Sequence, residues 1–390
     1  MSLKSLPKGV VALGFVSMFM DISSEMIHSL LPVFMVAVLG ASPLVVGIIE
    51  GIAEATVSVA KIFSGVISDW MGKRKPLVLL GYGMAALTKP LFPMAESVYA
   101  VLIARFADRI GKGIRGAPRD ALIADITPFD VHGAAYGLRQ SLDTIGGFTG
   151  PLLAMALMLL SGGDFRLVFW LAFIPSVICV GLIVFGVEEP DLKREKVKRE
   201  FPIRKERMKK LGTAFWLIVI FSGILTLARF SEAFLLLKAS DAGLAASYTP
   251  LILIAMNIVY ALTAYPAGKL SDKNGRQSLL VPGILVLVLA DLVLAHADTV
   301  SLVVAGAGLW GLHMGLTQGI LTAMVADVAP VDLRGTAFGI FNLVMGLMLL
   351  IASVLAGWLW KDFGPGATFW AGALFSLLSL VFIYFRRLAR

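Results

Sequence analysis

The sequence predicts an all-α integral membrane protein: twelve transmembrane helices forming two pseudo-symmetric six-helix bundles. Three observations predict it. Of 390 residues, 58% are hydrophobic and 15% charged, where an average soluble protein carries roughly 25% charged residues. Apolar runs long enough for the ~20 helical residues that cross a bilayer recur along the whole chain. Two short motifs of the first half return in the second at nearly the same offset. This composition excludes a cytosolic enzyme, a nucleic-acid-binding domain and a disordered scaffold, and isolated strands cannot span a membrane.

Breaking the chain at polar and Gly/Pro clusters gives spans at 10–38, 44–68, 76–94, 98–127, 132–160, 166–186, 212–238, 246–269, 278–296, 300–328, 334–359 and 367–386. The first is not a signal peptide, because its apolar stretch contains Asp21, Glu25 and His28 and continues to Leu39. Between the sixth and seventh spans, Glu188 to Lys210 holds ten Lys and Arg mixed with acids and cannot enter a bilayer. It divides the chain into an N-terminal bundle (1–187), a charged cytoplasmic linker (188–211) and a C-terminal bundle (212–390). Lys73, Arg74 and Lys75, then Arg276, Arg334 and the terminal Arg386, Arg387 and Arg390, fall on the linker's side if the spans alternate. The opposite loops hold only Arg166, Lys238 and Lys361 at their edges, so both termini are expected in the cytoplasm. The net charge of +8 is therefore a topology signal. The single cysteine, Cys179, excludes an internal disulfide and a two-thiolate metal site.

The repeat is explicit. Gly65-Val-Ile-Ser-Asp69-Trp-Met-Gly72-Lys73-Arg74 returns as Gly268-Lys-Leu-Ser-Asp272-Lys-Asn-Gly275-Arg276, offset by 203. Ala124-Asp125-Ile-Thr-Pro128-Phe-Asp130-Val-His-Gly133 returns as Ala326-Asp327-Val-Ala-Pro330-Val-Asp332-Leu-Arg-Gly335, offset by 202. Glycine at 65 and 268 leaves room for neighbouring helices to approach closely, and Asp69 and Asp272 stand at helix ends, where guanidinium groups and a helix N-terminus favour a carboxylate.

On these residues the chain resembles the major facilitator superfamily over essentially its whole length, the 65–75 segment being similar to the family's loop 2–3 signature. The resemblance implies alternating access between two rocking halves. It also implies a cytoplasmic gate formed by Gly65, Asp69, Arg74 and Asp125 with Gly268, Asp272, Arg276 and Asp327. In that gate Arg74 pairs with Asp125, Asp69 faces the start of the eleventh span, and Asp272 faces the start of the fifth. Gly146-x-x-x-Gly150-Pro151 looks like the opening of the motif of the drug/proton antiporter branch, with Ala154 and Met155 where that motif closes on glycines. Arg105 stands where the branch places a fourth-span arginine, although the following Asp108-Arg109-Ile-Gly111-Lys112-Gly113 is more charged than that pattern.

Ionisable groups within a bilayer cost roughly 2.5–3.5 kcal/mol on insertion scales and mark function. Asp21, Glu25 and His28 share one helical face by their spacing, as do Glu50 and Glu54. The fourth span adds Arg105, Asp108, Arg109, Lys112, Arg115, Arg119 and Asp120, and the fifth adds Arg139 and Asp143. Acids and bases nearly balance, which suggests an ion-pair network that re-pairs when a carboxylate is protonated, with Glu25 or Glu54, and Asp21 beside them, carrying the proton. The second half is quieter, and Arg229, Glu232, Asn257, His313, Gln318 and Asn342 are its candidate substrate contacts.

No phosphate-loop signature appears, and His28, His132, His296 and His313 are scattered, so neither a nucleotide-driven pump nor a membrane enzyme is expected. The reading is a secondary transporter of the cell inner membrane, monomeric and without cofactor, exchanging a small organic molecule for protons. The alternatives are import or export of an organic anion, or of a divalent metal or metal chelate, the metal held by Asp21, Glu25 and His28.

Overall fold

The computed structural model describes residues 6–71, 73–128, 131–189, 210–330 and 333–386; the side chains of Val66, Asp69 and Arg386, and most of the charged linker, lie outside this description. Every expected span has a helical counterpart within a few residues. The first half consists of α1 (Lys8–His28), α2 (Leu31–Ala37), α3 (Pro43–Met71), α4 (Lys75–Thr88), α5 (Val98–Ile126), α6 (His132–Leu160), α7 (Phe165–Leu171) and α8 (Phe173–Gly186). The second consists of α9 (Gly212–Ala228), α10 (Ala233–Asp241), α11 (Pro250–Asn274), α12 (Gln277–Ala295), α13 (Val300–Val328), α14 (Arg334–Phe363) and α15 (Pro365–Arg386). Among the described residues, ten spans are long and apolar enough to cross a membrane by length and composition. The other two are α4, which tightens into a 3₁₀ turn at Lys89–Leu91 where Pro90 removes a donor, and the charge-laden α5.

Besides the sixth, which parts at Ala172 between α7 and α8, two spans are broken. The first parts at Ser29–Leu30, between α1 and α2, just before Pro32. The seventh parts between Ala228 and Ala233, where Arg229 leaves helical geometry (φ −109°, ψ 58°). The freed amides find partners: Ser353 Oγ accepts from the Ser231 N–H at 3.2 Å, and Ser231 Oγ from the Ala233 N–H at 3.3 Å. The two breaks occupy equivalent places in the repeat, so the duplication reaches beyond the motifs that reveal it in the sequence.

By packing, the chain divides into two compact units. One holds the chain up to Phe34 and again from Thr56 into the linker; the other holds Met35–Ala55 and the chain beyond the linker. Met35–Ala55 thus groups with the second half of the chain. The cause is close approach: a Cβ on Gly51 would stand 3.0 Å from Leu350 Cα, and one on Gly357 would stand 2.6 Å from the Pro43 carbonyl oxygen.

In the first unit, α1 and α6 run parallel. A Cβ on Gly14 would stand 2.6 Å from Leu142 Cδ1, one on Gly146 2.6 Å from the Met18 carbonyl oxygen, and one on Gly150 2.7 Å from Glu25 Cβ. Helices α4 and α5 meet backbone to backbone at Gly81 and Gly111. In the second unit, Gly283 of α12 meets Thr317 and Leu316 of α13, and Phe230 gathers Phe234, Trp310 and Phe369 around the seventh-span break. Within the first unit, Gly65 meets Ala117 Cβ, 3.5 Å from its would-be Cβ. The glycines that admit a neighbouring backbone lie deeper in the spans.

Candidate transport site

The α1–α6 contact positions the first group of charges. Because Gly146 and Gly150 have no side chains, the α6 backbone lies against the turns of α1 that carry Asp21 and Glu25. Glu25 Oε2 pairs with His28 Nδ1 at 3.5 Å. Arg139 and Asp143, one turn apart on α6, form a close ion pair. The Lys112 side chain on α5 is exposed, and its charge acts on both Asp21 and Glu25. Among the described residues no group of three or more His, Cys, Asp or Glu side chains is arranged to hold a metal ion, so Asp21, Glu25 and His28 are not gathered as a ligand set.

A second group lies deeper. Asp108 of α5, 3% exposed, accepts from Lys89 Nζ on Oδ1 at 2.9 Å and has Arg109 Nε 3.2 Å from Oδ2 as an ion pair, with the Arg105 charge nearby. Lys89 also donates to Ser24 Oγ at 3.0 Å, which ties α1 to the end of the third span. Lys89 is a functional candidate that the sequence reading missed. Its signal was present: a lysine inside the span expected at 76–94. Toward the 71–75 loop, Arg115 stacks on Tyr82 with Cζ 4.4 Å from the ring centroid. Arg119 Nη1 donates to Ser17 Oγ at 3.1 Å and to Tyr82 Oη at 3.3 Å. Glu50 is buried and Glu54 partly buried on the stretch of α3 that packs with the second unit.

In the second unit, Arg229 and Glu232 flank the helix break, where their charges act on one another. His313 Nδ1 lies 2.8 Å from the Gly283 carbonyl oxygen, so that nitrogen carries the proton and donates it. Asn257 and Gln318 are partly buried and Asn342 is exposed.

The two motif copies build the same constellation. Arg74 Nε lies 3.4 Å from Asp125 Oδ2, and its Nη1 donates to Ser68 Oγ at 2.5 Å. Arg276 Nε lies 3.2 Å from Asp327 Oδ2, and its Nη1 donates to Ser271 Oγ at 3.2 Å and also meets Asp272. Against the desolvation that opposes its charge, hydrogen bonds to Asp272 and Asp327 raise the Arg276 guanidinium above its ordinary pKa. Ser68 and Ser271 stand in both motif copies, yet their role emerges only once the helices are in place. The first copy has one further anchor: Glu189 accepts the backbone N–H groups of Arg74 at 2.7 Å and Lys75 at 2.5 Å, at the start of α4. Arg74 is 8% exposed, whereas the Arg276 side chain is 28% exposed. Arg74→Ala is therefore expected to lower stability by about 1–3 kcal/mol and Arg276→Ala by less than about 1 kcal/mol, read as thermal unfolding of the purified protein.

The family model described as Major Facilitator Superfamily matches residues 13–251 and 231–390. An uncharacterized MFS-type transporter of Methanocaldococcus jannaschii is 33% identical, over 98% of this chain and 96% of its own length. The inner membrane transport protein YajR of Escherichia coli is 25% identical, over 94% of this chain and 81% of its own. Among solved structures, a variant of the nucleoside transporter NupG superposes with a TM-score of 0.84 at 13% identity, covering 97% of this chain and 99% of that one.

Proposed function

The chain belongs to the major facilitator superfamily, and from that premise we propose that it exports a small organic molecule in exchange for protons, as a secondary active transporter working by alternating access. The observation that carries this reading is the set of carboxylates on one face of α1, pressed against α6 by Gly146 and Gly150 and surrounded by the cations of α5. Protonating a carboxylate there frees the cation it holds, and the freed cation takes another partner. Glu25, with His28 at 3.5 Å and Lys112 and Arg109 acting on it, is built for such re-pairing. Arg229, Glu232, Asn257, His313, Gln318 and Asn342 would supply substrate contacts from the second half. The Arg74–Asp125 and Arg276–Asp327 pairs would latch the cytoplasmic side. We place the protein in the inner membrane as a monomer with both termini cytoplasmic.

The test uses proteoliposomes with an imposed pH gradient and a dye reporting internal pH. Addition of a transported compound is expected to move protons. Glu25→Gln and Glu54→Gln are expected to abolish gradient-driven accumulation while the protein stays folded. Full accumulation in both variants removes Glu25 and Glu54 as the proton carriers, and no proton movement with any transported compound overturns proton exchange.

A second reading is favoured by Lys89. It adds one cation to a count that balanced in the sequence, which favours a substrate bearing an anionic group. Inhibition of transport by organic anions, and not by organic cations of similar size, would support that class.

A further inference from the structure

We propose that Asp21 of α1 and Asp143 of α6 form a carboxyl–carboxylate pair that holds one proton between them, and that this pair, rather than Glu25 or Glu54, takes up and releases the transported proton. The proposal deepens the proton-exchange reading above and rests on it.

The geometry comes from the glycine contact. A Cβ on Gly146 would stand 3.0 Å from Asp21 Cβ. Asp143 precedes Gly146 by three residues, on the same face of α6. No side chain of α6 at position 146 stands between the two acids. Of all the charges around it, Asp21 feels Asp143 most strongly, then Lys112, Arg115 and Glu25. The two oxygens of Asp143 are not equivalent. Oδ2 meets Arg139 Nη2, whereas Oδ1 is buried and receives no hydrogen bond. Buried acceptors are rarely left empty. An O–H on Asp21 supplies the missing donor, and Arg139 fixes Asp143 as the ionised member.

A second observation points the same way from the cationic side. Arg115 is 4% exposed, and its Nη1 is buried without an acceptor. A guanidinium nitrogen beside an ionised Asp21 would be drawn onto it. Its lack of an acceptor fits an Asp21 that carries a proton in this conformation. Two like charges sharing one desolvated place do not ionise together cheaply.

The surroundings complete the cycle. Glu25 faces the pair from α1 itself, Lys112, Arg115 and Arg119 from α5, and Cys179 from α8. Arg119 is already engaged by Ser17, Tyr82 and Asp120. Arg115, whose Nη1 has no acceptor, therefore remains to receive Asp21 when its O–H bond breaks. The proton leaves to water, the pair passes from one negative charge to two, and the new charge draws α5 toward α1. Uptake reverses each step, and no covalent bond other than O–H changes.

The test is infrared difference spectroscopy of the full-length protein in lipid, between acid and alkaline buffer, reading the carbonyl stretch of a protonated carboxyl group. One titrating band is expected. It should vanish from the measured pH range in Asp21→Asn and equally in Asp143→Asn, and persist in Glu25→Gln. Asp143→Glu should restore it, which separates loss of the pair from loss of the fold. A band unchanged in Asp143→Asn, or lost in Glu25→Gln instead, overturns the pair. If the band instead follows Glu25 while proteoliposomes still show proton movement with substrate, the pair fails and the exchange reading stands. If the band behaves as expected but no transported compound moves protons, the exchange reading fails and takes the pair's role with it.

Discussion

Gly150→Leu and Gly146→Leu are expected to abolish transport and to sharply reduce the yield of folded protein. At position 146 a Cβ alone would stand 2.6 Å from the Met18 carbonyl oxygen, and at position 150 it would stand 2.7 Å from Glu25 Cβ and 2.9 Å from the Ile22 carbonyl oxygen. These neighbours are backbone or the root of a side chain, so nothing flexible can swing aside. Helices α1 and α6 would have to separate. The alanine variants measure the first step: each is expected to cost about 1–3 kcal/mol by overpacking. The control lies between the two sites. A Cβ on Gly147 meets nothing within 4 Å, so Gly147→Ala should stabilise by roughly 0.5–1 kcal/mol through helix propensity alone. Opposite signs for neighbouring Gly→Ala changes, measured by thermal unfolding in one detergent, test the helix contact itself. If 146 and 150 tolerate alanine as well as 147 does, the contact is not tight. Transport should fall further than stability at 146 and 150, because the displaced turns carry Asp21 and Glu25.

The contrast between these glycines and Gly65 shows how far the sequence could be read. Span number, span ends and the duplication were legible because each depends on one segment at a time: a run of apolar residues has only one way to satisfy its backbone in lipid. Close approach depends on two helices and their crossing, and repetition of a motif does not reveal it. Gly146 and Gly150 were readable because the spacing i, i+4 puts two bare positions on one face. Three residues on from Gly65 and Gly268, Ser68 and Ser271 bind the arginine that each loop supplies. The same limit applies to charge. The acids and bases of the first half could be counted from the sequence, but their pairing could not. Asp108 finds Lys89 through the third span, and Asp21 lies where α1 meets Gly146 of α6. The helix breaks at Ser29 and Arg229 were hidden because each lies inside a segment long enough to read as one unbroken span. Pro32 alone hinted at the first.

Asp108→Asn is expected to be the most damaging single charge change in the first half, and more damaging than Lys89→Met. The asymmetry follows from what each leaves behind. Without Asp108, the Lys89 ammonium, 1% exposed, keeps only the Ser24 hydroxyl at 3.0 Å, with the Arg109 and Arg115 charges acting against it. A buried charge stripped of its counter-ion costs about 3–5 kcal/mol. Without Lys89, the Asp108 carboxylate still has Arg109 Nε at 3.2 Å and the Arg105 charge close by. The loss is then one buried hydrogen-bonded pair, about 1–3 kcal/mol. The double variant Asp108→Asn/Lys89→Met should be more stable than Asp108→Asn alone, since it removes the stranded ammonium along with the missing carboxylate. Thermal unfolding of the four proteins closes the cycle. Additive losses would mean that Lys89 and Asp108 do not neutralise one another. Recovery in the double variant, with transport still impaired, would separate the structural role of the pair from its part in re-pairing: the charge is needed for movement even where the fold can dispense with it.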